Sequence, residues 1–141
     1  MGSLIPIRVI WAALIMGQLL FAGVIGFAPL EIHAQSAELQ KTLQIVAISM
    51  LVVLVPLGML MRLLIFRGGT DPATGAVSMG AYTTGTIVFL AMCEGVGFMG
   101  LLGLMLSSAK SKPHLMVALT VLLIQLASFP TGKPLRGDRQ S

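Results

Sequence analysis

One ionisable carboxyl interrupts the long apolar runs of this 141-residue chain: Glu94, near the middle of the run over residues 87–106. A charged carboxylate at the centre of a hydrocarbon layer is costly, so Glu94 is expected to be protonated at neutral pH and hydrogen-bonded to a neighbour. Two glutamines stand at the matching depth of other runs. Gln18 is 13 residues from Glu31, Glu94 is 13 from Ser107, and Gln125 is 13 from Lys112. At 1.5 Å per residue each lies about 20 Å in from the same polar edge. Gln18 and Gln125 are therefore the expected partners of Glu94. Such a trio can carry a proton or cation on the acid, or it can be a neutral clasp between helices, worth about 0.6–2 kcal/mol.

The residues around the trio are small. Gly95, Gly97, Gly100 and Gly103 follow Glu94, and Gly17, Gly23 and Gly26 lie in the first run. Ala91-x-x-x-Gly95 and Ala13-x-x-x-Gly17 are small-x-x-x-small pairs, which let helix backbones approach closely. These seven glycines are the expected helix-packing positions. At 100° per residue, Ala91, Gly97, Phe98 and Leu101 fall within about 60° of Glu94, so the acid should face a packed seam.

Other chemistry is sparse. Cys93, the single cysteine, reads as a small apolar filler. His33 and His114 fall at one edge without the Cys-x-x-Cys-His of haem attachment. The ten methionines read as adaptable apolar packing, and Trp11 and Tyr82 as interfacial anchors. No nucleophile–base pair and no phosphate loop is visible, so no enzyme, no metal site and no cofactor is expected. Without a basic patch interleaved with aromatics, no nucleic-acid partner is expected either.

The elements that must position these residues follow from composition. Apolar residues are 56% of the chain, and with the 16 glycines about two-thirds, against roughly 45–50% in soluble domains. Charged residues are 10%, and the mean hydropathy is +0.96. Nine Lys/Arg and five Asp/Glu cannot cover the surface of a soluble domain of this size. The expectation is an all-α polytopic membrane protein, one transmembrane domain over residues 1–141. Its four helices span about residues 9–30, 43–65, 84–107 and 113–132, each near the roughly 20 residues a bilayer needs. Arg67-Gly68-Gly69-Thr70-Asp71-Pro72 reads as a helix stop followed by an Asp N-cap, and 73–86 as an amphipathic lead-in to the third helix. Ser111 followed by Pro113 reads as the start of the fourth.

Orientation follows from the cations. Arg8, Arg62, Arg67, Lys133, Arg136 and Arg139 fall on one side, and Lys41, Lys110 and Lys112 on the other, which puts both termini in the cytoplasm. Ala34-Gln35-Ser36 would pass as a signal-peptide cleavage site, but the preceding apolar run of 22 residues is too long for a signal core of roughly 7–15. Myristoylation is excluded because Pro6 stands where Ser or Thr is required.

Phe21-Ala22-Gly23-Val24-Ile25-Gly26 lies over Phe98-Met99-Gly100-Leu101-Leu102-Gly103 at an offset of 77 residues. An internal duplication would make the chain two antiparallel helical hairpins in tandem.

The stretch Ala91-Met92-Cys93-Glu94-Gly95-Val96-Gly97-Phe98-Met99-Gly100-Leu101-Leu102 resembles the acid-bearing helix of the proteolipids (c subunits) of rotary ATPases, where a Glu is followed six residues later by Gly and then Leu. The preceding run has Gly58 alone where proteolipid rings carry alternate glycines, so what the resemblance implies is proton chemistry on Glu94 without a rotor ring. Over most of its length the chain is similar to a loose group of bacterial four-helix membrane proteins of uncharacterised function. The likeness lies in residues 13–23, in Tyr82-Thr83-Thr84-Gly85-Thr86-Ile87 leading to Glu94-Gly95, and in Phe129-Pro130-Thr131. That resemblance implies a multi-pass protein of the bacterial cytoplasmic (inner) membrane.

Three functions fit these readings, in this order. The first is a non-enzymatic accessory or structural subunit, embedded in the lipid bilayer and packing through its glycine seam against other membrane subunits or copies of itself. The second is a proton- or cation-handling, proteolipid-like protein using Glu94. The third is a small four-helix drug/proton antiporter, with Phe89 and Phe98 as the aromatics near the acid.

Overall fold

A computed structural model describes residues 3–27, 36–107 and 112–136. It contains four α-helices: α1 (Ile5–Phe27), α2 (Ala37–Gly68), α3 (Met79–Leu106) and α4 (Lys112–Ala127), followed by a single 3-10 turn over Lys133–Leu135. Among the described residues there is no strand beyond one isolated bridge between Thr70 and Val77. α1, α2 and α3 are long and apolar enough to cross a membrane; α4, with 16 residues, is shorter.

Local chemistry sets the helix boundaries. Ser36 caps α2, its side chain accepting from the Leu39 N–H at 3.3 Å, so the helix starts before its apolar stretch. Pro56 is accommodated inside α2, which runs on to Gly68. The Asp71 N-cap expected from sequence is not there. Asp71 instead closes its own turn, its carboxylate accepting from the Ala73 N–H and the Thr74 hydroxyl, each at 2.9 Å. Pro72 and the positive φ of Gly75 (68°) hold this turn out of helical conformation. The lead-in over 73–78 is therefore not helical, and Ser78 caps α3 by accepting from the Ala81 N–H at 3.3 Å. Ser111, the other expected start signal, lies outside the described residues, and α4 opens at Lys112 with Pro113 in its first turn.

The bundle is organised around α3. Half of its most apolar stretch is buried, against 11% for α1 and 17% for α2. It packs most extensively on α2, then on α4, then on α1, whereas no Cα atom of α1 comes within 8 Å of one in α2. The first of the two expected hairpins is therefore not a packed unit, because α1 and α2 lie against different faces of α3. One core cluster joins Ala47 and Val55 of α2 with Phe89, Cys93 and Val96 of α3 and Val117 and Val121 of α4. A second joins Leu101, Leu104 and Ala118 with Phe21, Ala22 and Ile25 of α1.

Glycines set how close the helices come. A Cβ on Gly100 would stand 3.0 Å from the Ala118 nitrogen and 3.2 Å from the His114 carbonyl oxygen, and one on Gly103 would meet the His114 ring. Both are contacts of α3 with α4. A Cβ on Gly97 would stand 2.7 Å from Gln18 Nε2 of α1, while one on Gly17 would be in ordinary contact, 3.8 Å from Glu94 Oε1. Gly23, Gly26 and Gly95 have no neighbour within 4 Å of that position, so they lie in no seam among the described residues. Two glycines inside helices but outside the expected set do, Gly58 against Met92 and Phe89, and Gly85 against Phe66; beyond the helices, Gly69 also meets Ala81 of α3.

One end of the bundle is tied together by the chain after α4. The Gly132 N–H donates to the Tyr82 hydroxyl at 3.1 Å, and the Val77 N–H donates to the Pro134 carbonyl at 2.9 Å. Arg8 lies over the Phe129 ring and donates to the Pro130 carbonyl, and Arg62 lies over Phe66 and Phe89. Tyr82, expected as an interfacial anchor, is instead 1% exposed, stacked on Phe66 beneath this strap. The same end carries Arg67, Lys133 and Arg136, while Lys41 and Lys112 lie at the other end. Glu31, Lys110 and Arg139 are outside the described residues.

Two outcomes follow. Gly100→Val should destabilise the protein by about 1–3 kcal/mol, because α4 backbone must move, whereas Gly95→Ala should be neutral or slightly stabilising. Thermal unfolding in detergent measures both. The hydrogen bond from the Ala73 N–H, and next that from the Thr74 hydroxyl, hold the Asp71 carboxyl below the ordinary aspartate range. The order this lends the turn is present above the unfolded-state value and is lost as pH falls through the lower folded one. The NMR shift of Asp71 should therefore titrate below that of a free aspartate, and Asp71→Asn should loosen the Ala73 amide at neutral pH.

Candidate functional site

Glu94 lies midway along α3, half-buried. Gln18 of α1 and Gln125 of α4 are 3% and 0% exposed. Gln18 Nε2 donates to Glu94 Oε2 at 2.9 Å, and Gln125 Nε2 donates to the same oxygen at 3.2 Å. The structure thus brings the three residues singled out by their depth into one hydrogen-bonded group joining three helices. The second carboxyl oxygen, Oε1, faces Gly17 of α1.

The neighbouring sequence makes room for this arrangement. Gly97 lies nearly one turn beyond Glu94, and any side chain there would collide with the Gln18 amide. Trp11 adds a further tie, its indole N–H donating to the Gln125 backbone carbonyl at 2.8 Å while its ring stands edge-on to Phe129. This role was not foreseen for Trp11, though a signal for it exists. Trp11 and Gln18 are seven residues apart, hence on the same face of α1, and both reach Gln125 or the acid it holds.

Chemically, an amide can donate or accept but cannot carry a proton, so Glu94 is the one member of the trio able to do so. The Glu94 oxygen that receives both amides suits a carboxylate or the carbonyl oxygen of the neutral acid equally. Gln125 Oε1 is buried without a hydrogen-bond partner among the described residues. Beside Gln18 lies an apolar crevice of about 80 Å³ between α1 and α4, lined also by Ala22, Leu101 and Ala118.

The remaining candidates stand apart from the trio. Cys93 is fully buried in the α2–α3–α4 cluster. His114 is buried in the first turn of α4, against Gly103 and hydrogen-bonded to the backbone of Leu43; it is 11 residues from Gln125, about 16 Å along the helix. His33 lies outside the described residues. Phe98 pairs with Phe21 at 5.5 Å, one turn from Glu94, while Phe89 points into the core. Comparison with protein-family models, with the curated proteins and with the solved structures finds no match.

The two amide donors make Glu94→Ala and Glu94→Gln informative together. The alanine leaves both buried amides without an acceptor and should cost about 1–3 kcal/mol. The glutamine keeps an acceptor oxygen in place and should lose less than half of that. Equal losses in detergent unfolding would show that the carboxyl position does not hold the helices.

Proposed function

We propose that the chain is a small integral protein of the bacterial cytoplasmic membrane, acting without catalysis as an accessory or structural subunit that packs against other membrane helices. In this reading α1, α2 and α3 span the bilayer, α4 completes the bundle, and both termini face the cytoplasm with the basic end. The observation that carries it is the open strip on α3. Thr84, Ala91, Gly95, Phe98 and Leu102 are exposed on the helix that is otherwise the most buried, between α1 and α2, whose backbones stand apart. Phe21 and Met50 form the walls of the groove above Gly95 and Phe98. Ala91 and Gly95, four residues apart on that strip, offer the smooth surface on which helices approach closely.

A second reading has its own observation. Glu94 is a side chain able to carry a proton, held between amides at the midpoint of an apolar helix. This supports a protein that handles a proton or cation there, the chemistry implied by the likeness of residues 91–102 to proteolipids.

Extraction in mild detergent followed by mass spectrometry of what co-purifies tests the first reading. Gly95→Phe, which fills the open strip, should release the associated subunits while leaving the monomer folded. A clean monomer before any substitution would contradict it. The second reading predicts that Glu94→Gln abolishes proton or cation flux in proteoliposomes with the fold intact.

A further inference from the structure

At the basic end, the start of α1, the segment before α3 and the strap after α4 enclose a pocket of about 390 Å³. Leu4, Val77, Met79 and Leu135 give it apolar walls, and Thr131 and Arg136 give it a polar rim. It is a built feature. The Val77–Pro134 and Gly132–Tyr82 hydrogen bonds fix its sides, and Gly132 takes a positive φ (74°) where a Cβ would press on Leu4.

The charges around it are unequal. Arg8 and Arg62 are engaged by aromatic rings, and Arg8 also by the Pro130 carbonyl. Arg67, Lys133 and Arg136 are exposed at the same end. Asp71, the one acid there among the described residues, directs its carboxylate to Ala73 and Thr74. A pocket with apolar walls, a cationic rim and a place at the end of a bundle of apolar helices matches an amphiphile with an anionic head. We infer that this pocket binds the phosphate headgroup of an anionic phospholipid, with Arg136 on its rim facing the phosphate, the exposed Lys133 of the same strap adding positive charge nearby, and the glycerol end of the acyl chains against Leu4 and Leu135.

The inference rests on the membrane reading above, and it names the lipid that the basic end recognises. The neutral zwitterionic lipid has the same phosphate but no net charge, so charge discriminates between them. A cation near an anionic lipid surface contributes roughly fivefold in affinity, so removing two should weaken binding about 30-fold.

The test uses the full chain in mild detergent, titrated with fluorescent phosphatidylglycerol and, separately, with phosphatidylcholine of the same acyl chains. Phosphatidylglycerol should bind at least tenfold more tightly. Lys133→Ala with Arg136→Ala should remove that preference while circular dichroism remains helical. Lys41→Ala with Lys112→Ala, at the opposite end, should leave it unchanged. Equal binding of the two lipids, or a preference that survives loss of Lys133 and Arg136, would overturn the inference. So would displacement of the lipid by inorganic phosphate at millimolar concentration, which would mark a free-anion site. Carbonate extraction separates the two levels: release of the protein from membranes defeats the membrane reading itself, whereas lipid indifference in a carbonate-resistant protein defeats only the headgroup site.

Discussion

The Glu94 carboxyl, held by Gln18 from one side and Gln125 from another, is the junction on which the arrangement of α1 depends. α1 buries only Ile7, Ile15 and Gln18, so its apolar contacts alone give it little to hold. In the bilayer proposed for this bundle, apolar contact with another helix would have small advantage over contact with lipid, whereas a hydrogen bond between buried polar groups would have no substitute in lipid. Gln18, and behind it the Trp11 bond to Gln125, therefore decide where α1 sits on the α3–α4 pair. The glycines serve the same junction. Gly97 admits the Gln18 amide, and Gly100 and Gly103 bring α4 close enough for Gln125 to reach the acid.

How much of this was legible in the sequence depended on whether a residue carried directional information. Counting inward from Glu31, Ser107 and Lys112 placed Gln18, Glu94 and Gln125 at one depth, because helical rise is constant and the polar edges mark the starting line. Depth was readable, and Gln18 marked the face that α1 turns to Glu94. Nothing comparable marked the face that α2 turns to α3, so the separation of α1 from α2 could not be foreseen. The same gap explains the glycines. Gly23, Gly26 and Gly95 look no different in sequence from Gly58 and Gly85, yet the first three face open space and the last two meet side chains of a neighbouring helix.

Two other differences arise from local competition. Asp71-Pro72 has the residue types of a helix start, but Gly75 permits a positive φ and the carboxylate finds nearer donors, so the cap passes to Ser78. Phe21 and Phe98, which correspond in the likeness between 21–26 and 98–103, lie in contact. The helices that carry them have nonetheless taken different places, α3 at the centre and α1 at the edge. At the basic end, aromatic rings and the strap after α4 tie down Arg8 and Arg62 and leave the other cations outward.

The measurement closest to the central claim is a double-mutant cycle between Gln18→Leu and Glu94→Ala, read by reversible unfolding in detergent. If the two side chains hold α1 through one shared hydrogen bond, the double variant will lose less stability than the two single losses combined, with a coupling of about 0.6–2 kcal/mol. Losses that simply add, within about 0.3 kcal/mol, would mean that α1 is held by something other than the Glu94 carboxyl.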